Sequence, residues 1–185
     1  MMALLKRPDI LMGGVLVASL GLILTALGYQ HLADLQPCDL CYKQRWAYYI
    51  AIGAVPFALF LYGHETKDTN EPLPAKSALM ASALVMTLLA LVFFANFVLG
   101  VYHAGVEWKF WAGPAGCSDT GAFDTSISII EAMKQETIVP CGVAQWRLFG
   151  ISMAGYSALA SLILALVAGF IAHIVGFVER SSSKS

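Results

Sequence analysis

Four long apolar runs determine most of what this chain can fold into. They cover residues 10–29, 46–62, 78–101 and about 151–175, in a sequence that is 58% hydrophobic and only 12% charged. A helix crosses the hydrocarbon core of a bilayer in about 20 residues. Because backbone polar groups must be paired inside lipid and no segment alternates like a barrel strand, we predict four transmembrane helices.

The predicted architecture is an all-α membrane protein, a single domain over residues 1–185 built as a compact four-helix bundle. The first run is too long for a removable signal peptide, and it lacks the small-residue cleavage site that such a peptide needs. Small residues allow close helix approach in the first and last runs: Gly14, Ala18, Gly21, Ala154, Ala158 and Ser161. Asn96, inside the third run, is expected to form an interhelical hydrogen bond.

Two polar connections, about residues 30–45 and 102–150, contain all four cysteines and lie on one side of the predicted bundle. The second is long for a connection, and such loops tend to be functional or disordered. Within it, Asp124 is an N-cap candidate for a short amphipathic helix from Ile127 to Lys134, which we expect to lie on the membrane surface.

The orientation of the bundle is predicted from the charges that flank the first helix. An even number of helices returns both termini to one side, and the first helix usually sets the topology. Lys6 and Arg7 precede that helix, whereas Asp34 and Asp39 follow it. We therefore expect cytoplasmic termini and cysteine-bearing loops on the opposite side. The net charge of −1 favours neither a nucleic-acid partner nor anionic lipid.

The cysteines form a tight pair, Cys38 and Cys41 in a CxxC motif, and a looser pair, Cys117 and Cys141. A CxxC without a second CxxC or clustered histidines is a poor zinc site, and Tyr42 stands where a haem-attachment motif needs histidine. Two intervening residues let the sulfurs close a strained, reducible ring, so the motif predicts a redox dithiol. The looser pair could close a structural loop worth about 3 kcal/mol, or exchange with the first pair.

Two polar residues are candidates to assist this chemistry. Arg45 follows Cys41 by one helical turn, so its guanidinium would favour the Cys41 thiolate or donate to a carbonyl of an electron acceptor. The alternative is an arginine that only anchors the helix at the interface. His103, at the end of the third run, would lie at the same depth as Arg45, either as a partner for a bound acceptor or simply as an interfacial residue.

The segment from Pro37 to Arg45, PCDLCYKQR, resembles the CxLCxxxR segment of the disulfide bond formation protein B (DsbB) family. Tyr102-His103 is similar to that family's motif at the end of helix three, as is Cys141 followed by QW and LFG at residues 145–146 and 148–150. The resemblance extends, in order, over essentially the whole chain. Asp39 departs from the family pattern, which often has an apolar residue or proline there.

The resemblance implies a bacterial inner-membrane enzyme that reoxidises a periplasmic thioredoxin-like dithiol oxidase (DsbA) and passes the electrons to quinone. It implies two disulfides, Cys38–Cys41 and Cys117–Cys141. Cys117 would be attacked by the partner, and the Cys38–Cys41 disulfide would reoxidise the loop pair. Cys41 would meet the quinone, which Arg45 would hold and His103 would contact, without any metal or flavin.

Two other hypotheses compete with a thiol:quinone oxidoreductase. A transporter or scaffold could carry purely structural disulfides, but transporters place ionisable groups near the bilayer midplane, and the centres of these runs contain none. A vitamin K epoxide reductase-like enzyme shares the four-helix plan, yet its CxxC belongs near a later helix. Here the CxxC precedes helix two.

Overall fold

The fold is a four-helix bundle. The computed structural model describes residues 7–67, 74–114 and 141–182. Its helices are α1 (Pro8–Leu32), α2 (Asp39–Lys67), α3 (Pro74–Glu107) and α4 (Met153–Ser182). Within the described residues these four are long and apolar enough to cross a membrane, which confirms the predicted all-α membrane class.

The inside of the bundle is packed, while its outside is apolar as well. Met86, Phe93 and Ile171 are completely buried, whereas Leu24 and Leu166 are each 66% exposed on the outer surface. A soluble protein would cover that surface with polar groups, so this distribution suits helices whose outer faces contact lipid. The most extensive helix contact is between α3 and α4, with α2 against α3 and α1 against α2 and α4.

Small and polar residues bring α3 and α4 together, as predicted for the last run. A Cβ atom at Gly100 would lie 2.9 Å from the Cβ of Ala158, so only glycine permits this approach. In α1, by contrast, a Cβ atom at Gly14 or Gly21 would meet no atom of the described part of the chain within 4 Å, so the close approach expected at those glycines is not found. The Asn96 side-chain amide donates to Ser161 Oγ at 2.8 Å, which confirms the expected interhelical bond. Tyr48 of α2 also hydrogen-bonds Ser161 Oγ, at 2.9 Å, and thereby joins a third helix to the network.

The helices extend beyond the apolar runs from which they were predicted. α2 begins at Asp39 instead of residue 46, and α3 continues to Glu107 instead of ending at residue 101. The prediction equated each helix with its apolar run, but a helix needs apolar side chains only where it faces lipid or core. The extra turns carry polar side chains toward a cavity at the cysteine-bearing end of the bundle.

A short hairpin precedes α4. Strands β1 (Arg147–Leu148) and β2 (Ile151–Ser152) pair antiparallel, with Arg147 opposite Ser152, so α4 begins two residues later than predicted. The turn residues Phe149 and Gly150 both have positive φ, 51° and 82°, as a two-residue type I′ turn requires. The predicted interfacial helix from Ile127 to Lys134 lies outside the described residues.

Candidate functional site

The CxxC motif is located at the N-terminus of α2. Cys38 directly precedes the helix, and its Sγ accepts a hydrogen bond from the Cys41 backbone N–H at 3.3 Å. The first N–H groups of a helix have no intrahelical partner, so Cys38 acts as the N-cap with sulfur in place of the usual oxygen. This location also places Cys38 Sγ at the positive end of the helix dipole.

The two sulfurs of the motif lie side by side. Their Sγ atoms are 2.6 Å apart, and both cysteines carry free thiols in this structure. A disulfide needs about 2.05 Å, so a movement of about half an ångström would bring them to bonding distance. His103 of α3 places its Nε2 atom 3.6 Å from Cys38 Sγ. The described site therefore unites the CxxC motif with the histidine that the sequence placed at the same depth.

Cys38 is the activated thiol of the pair. The pKa of the Cys38 thiol is lowered to about 5, chiefly by the hydrogen bond with Cys41 and to a smaller extent by His103, whereas burial raises it. The one-turn offset of Arg45 predicted that the Cys41 thiolate would be favoured. Because the helix begins at Asp39, however, the capping position and the N–H of Cys41 serve Cys38.

Arg45 is held by α1. Its guanidinium donates to Gln30 Oε1 at 2.7 Å and to the Ala26 carbonyl at 3.4 Å, and it lies 5.2 Å from the centre of the Tyr42 ring. Arg45 and Cys41 line the same cavity, as their one-turn spacing predicted. The guanidinium is thus held by two neutral oxygens, those of Gln30 and Ala26, and it also lines the cavity.

Three polar residues that the sequence analysis did not select complete the site. Gln44 Nε2 donates to His103 Nδ1 at 2.8 Å, Glu107 Oε1 lies 3.9 Å from His103 Nε2, and Gln30 holds Arg45. The spacing of His103 and Glu107, one turn apart, was available in the sequence, but the prediction ended α3 at residue 101. Gln44 could not be recognised, because its role depends on a residue of another helix.

Of these groups, Cys38, Cys41, Gln44, Arg45, His103 and Glu107 line one cavity of about 330 Å³ between the helix ends. That volume falls in the range of small-molecule sites, which are mostly apolar with a few placed polar groups. The cavity is lined by side chains from α1, α2, α3 and the start of α4, and its walls include aromatic rings: Tyr29, Tyr48, Trp146 and Tyr156. Tyr29 and Tyr156 each contact the Trp146 ring, with centroids 5.4 and 6.2 Å apart.

A cysteine of the second pair reaches the same place. Cys141 is 1% exposed, belongs to one buried cluster with Cys38 and Leu40, and lines the cavity. Cys141 is disulfide-bonded. Cys117, its predicted mate, lies outside the described residues, so the Cys117–Cys141 pairing stays a prediction, as does a Cys38–Cys41 disulfide.

Cys38, Cys41 and His103 are also candidate metal ligands. The ligand atoms of Cys38, Cys41 and His103 lie within 4.8 Å of one another. Two thiolates on a tetrahedral zinc ion are about 3.8 Å apart, given Zn–S bonds of about 2.3 Å. The observed sulfur separation of 2.6 Å is much shorter and is closer to that of a disulfide. We therefore assign the cluster to thiol chemistry, and the expectation that no metal binds stays a prediction.

Comparison with known proteins agrees with this assignment. Searches of curated proteins and of solved structures found no significant match. The family model described as "Disulfide bond formation protein DsbB" matches residues 8–171, which include α1, α2, α3, the hairpin and most of α4. With its CxxC motif and Cys141 around one cavity of a four-helix membrane bundle, the chain belongs to the DsbB family of disulfide bond formation proteins.

Proposed function

We propose that this protein reoxidises a periplasmic thioredoxin-like dithiol oxidase (DsbA-like) and passes the electrons to membrane quinone. The observation that carries the proposal is the single cavity lined by Cys38, Cys41, Cys141 and Arg45. Thiol–disulfide exchange requires sulfur to reach sulfur, and quinone reduction requires a membrane-level pocket beside a thiol. The described site offers both together.

The exchange between the two pairs begins when the partner's thiolate attacks Cys117, which releases Cys141 as a thiolate. Cys141 then attacks Cys38, which lies in the same buried cluster, and Cys41 leaves as a thiolate that takes up a proton. The partner's second thiolate closes the partner's disulfide and releases Cys117. Cys117 then attacks Cys141, the loop disulfide forms again and Cys38 is the leaving group. A thiol of low pKa leaves faster, so the lowered pKa of Cys38 favours this direction.

Transfer to quinone takes place in the cavity. A quinone accepts two electrons and two protons, so no metal or flavin is required. Cys41 is half-buried and lines the cavity, and Arg45, fixed by Gln30, is the donor for a quinone carbonyl. His103 faces the same space. The Cys38–Cys41 disulfide forms as both electrons leave the pair.

The location follows from this chemistry. A soluble periplasmic partner and a lipid-soluble acceptor meet only at the periplasmic surface of the bacterial inner membrane. This places the cysteine-bearing end of the bundle on that side and both termini in the cytoplasm, in agreement with the charges that flank α1.

Anaerobic mixing tests the proposal directly. The purified protein in lipid nanodiscs is mixed with a reduced thioredoxin-fold dithiol protein and with decylubiquinone or a menaquinone analogue, and quinol formation is followed optically. We expect one quinol for each partner disulfide formed. Replacing Cys41 by Ser should abolish quinol formation, because the pair can no longer close. Partner oxidation without quinol, or quinol formation by the Cys41→Ser variant, would contradict the proposal.

A further inference from the structure

Glu107 is a buried ionisable residue whose carboxyl group is only partly hydrogen-bonded. It ends α3, is only 9% exposed, and lines the cavity. Ser152 hydrogen-bonds its carboxyl group, but among the residues that the structure describes the second oxygen, Oε2, has no hydrogen-bond partner. A buried carboxyl group is costly, and one that is only partly satisfied points to a function at the site.

The carboxyl group is connected to the reactive sulfurs through one ring nitrogen. Gln44 Nε2 can only donate, so His103 Nδ1 accepts its hydrogen bond and the neutral ring carries its proton on Nε2. That nitrogen lies 3.6 Å from Cys38 Sγ and 3.9 Å from Glu107 Oε1. The Nε2–H group therefore faces both the Cys38 sulfur and the Glu107 carboxyl group, and it favours a negative charge on one of them at a time.

The charges around Glu107 explain why a proton should stay there. The titratable and charged groups near it, among the described residues, are His103 on its own helix, Cys38 and Cys41 at the start of α2, and Arg147 on β1. Arg147 is exposed and is the one permanent cation of this set. Two negative charges on Cys38 and Glu107 in a buried site disfavour each other strongly, so a Cys38 thiolate is best accommodated when Glu107 is protonated.

We propose that Glu107 is the proton store of the site: it holds a proton while Cys38 is a thiolate, and it gives that proton to the quinone. This inference rests on the proposed transfer of electrons to quinone. Before the step, the site contains the Cys38 thiolate, the Cys41 thiol and a protonated Glu107. Afterwards it contains the Cys38–Cys41 disulfide, the Glu107 carboxylate and quinol. Two electrons come from the sulfurs, one proton from Cys41 and one from Glu107.

A proton stored on Glu107 changes the proton balance of quinone reduction, which a purely structural Glu107 would not do. Because both protons are already stored in the site, quinone reduction by the reduced pair takes up no proton from the solvent. In a Glu107→Gln variant the store is lost, and the second proton must come from the bulk. Gln keeps the size of the side chain and can still accept from Ser152, so folding and quinone affinity should change little.

The test uses full-length protein in nanodiscs with Cys38 and Cys41 reduced and decylubiquinone as the probe. A pH-indicator dye in weak buffer reports proton uptake, and quinone absorbance reports the rate in a single turnover near neutral pH. We expect uptake close to zero per quinone in the wild type and close to one in Glu107→Gln. The rate should fall by about 10²-fold, as for loss of an acid–base group. Glu107→Asp, which keeps the carboxyl group, should restore near-zero uptake.

Asp34→Asn is the matched control, since it makes the same chemical change at an exposed residue outside the cavity lining and should behave as wild type. If the wild type reduces quinone but Glu107→Gln takes up no proton, the store is elsewhere, with His103 as the alternative, and the inference is wrong. A lower quinone affinity with unchanged stoichiometry would assign Glu107 a purely structural role. Failure of the wild type to reduce quinone would instead refute the proposed function.

Discussion

The lowered pKa of Cys38 leads to a quantitative prediction about how oxidising the CxxC pair is. At pH 7 a thiol with the ordinary pKa of 9.0 is about 1% ionised, whereas one with a pKa of about 5 is about 99% ionised. Ionisation stabilises the reduced pair by a factor of about 100, or about 2.7 kcal/mol. For a two-electron couple this makes the pair about 60 mV more oxidising at that pH. The stabilisation is complete above the ordinary pKa of 9.0, decreases as the pH falls and is lost as the pH falls through about 5.

His103→Phe is the perturbation that tests this reasoning. Phenylalanine fills the buried space of the histidine ring but gives Cys38 Sγ no partner at 3.6 Å. A hydrogen bond to an ionised group contributes about 1.5–3 kcal/mol, so we expect the Cys38 pKa to rise by about one to two units. The potential of the pair at pH 7 should then fall by about 30–50 mV. The rise remains partial because the larger cause, the hydrogen bond from Cys41, is intact.

Two measurements check the prediction independently. Alkylation of the reduced protein by iodoacetamide from about pH 4 to pH 9, analysed by peptide mass spectrometry, gives the ionisation of each cysteine separately. Equilibration with thiol redox buffers gives the potential. His31→Phe is the control, because His31 is an exposed histidine at the same end of the bundle. A wild-type Cys38 pKa above 8, or preferential alkylation of Cys41 at neutral pH, would refute the assignment of Cys38 as the activated thiol.

Three further predictions concern quinone, partner and bundle. Arg45→Ala should raise the apparent KM for quinone by about 10- to 100-fold, the equivalent of one charged hydrogen bond. The control Lys43→Ala, on the exposed face, should leave this KM unchanged. Equal KM values for Arg45→Ala and the wild type would exclude Arg45 as the quinone donor. Cys117→Ser should abolish oxidation of the soluble partner but leave quinone reduction by the chemically reduced CxxC pair intact, and a partner trapped on the CxxC pair instead would reverse the assignment. Asn96→Leu should destabilise the bundle by about 1 kcal/mol, measured by thermal unfolding in detergent, because Ser161 loses a buried donor; an unchanged midpoint would show that this bond is not needed.

The sequence by itself determined the membrane class and the chemistry. Four apolar runs leave no fold other than a helical bundle in lipid, because hydrocarbon cannot satisfy an open backbone. The CxxC spacing fixes the proximity of two sulfurs, and the offset of one turn puts Arg45 on the cavity side of α2. Asn96 could be predicted to bond across helices because an amide in a membrane helix has few other partners.

Only the tertiary structure decided which thiol is activated and what surrounds it. Hydropathy locates where a helix meets lipid, but it does not locate where the helix begins, so the N-cap position of Cys38 was missed. Cys38 contacts His103, 65 positions away in the sequence, and shares a buried cluster with Cys141, 103 positions away. Glu107 reads in the sequence as an ordinary interfacial carboxylate. It becomes a buried neighbour of the reactive sulfurs only because α3 continues nearly two turns past the apolar run and packs beside the start of α2.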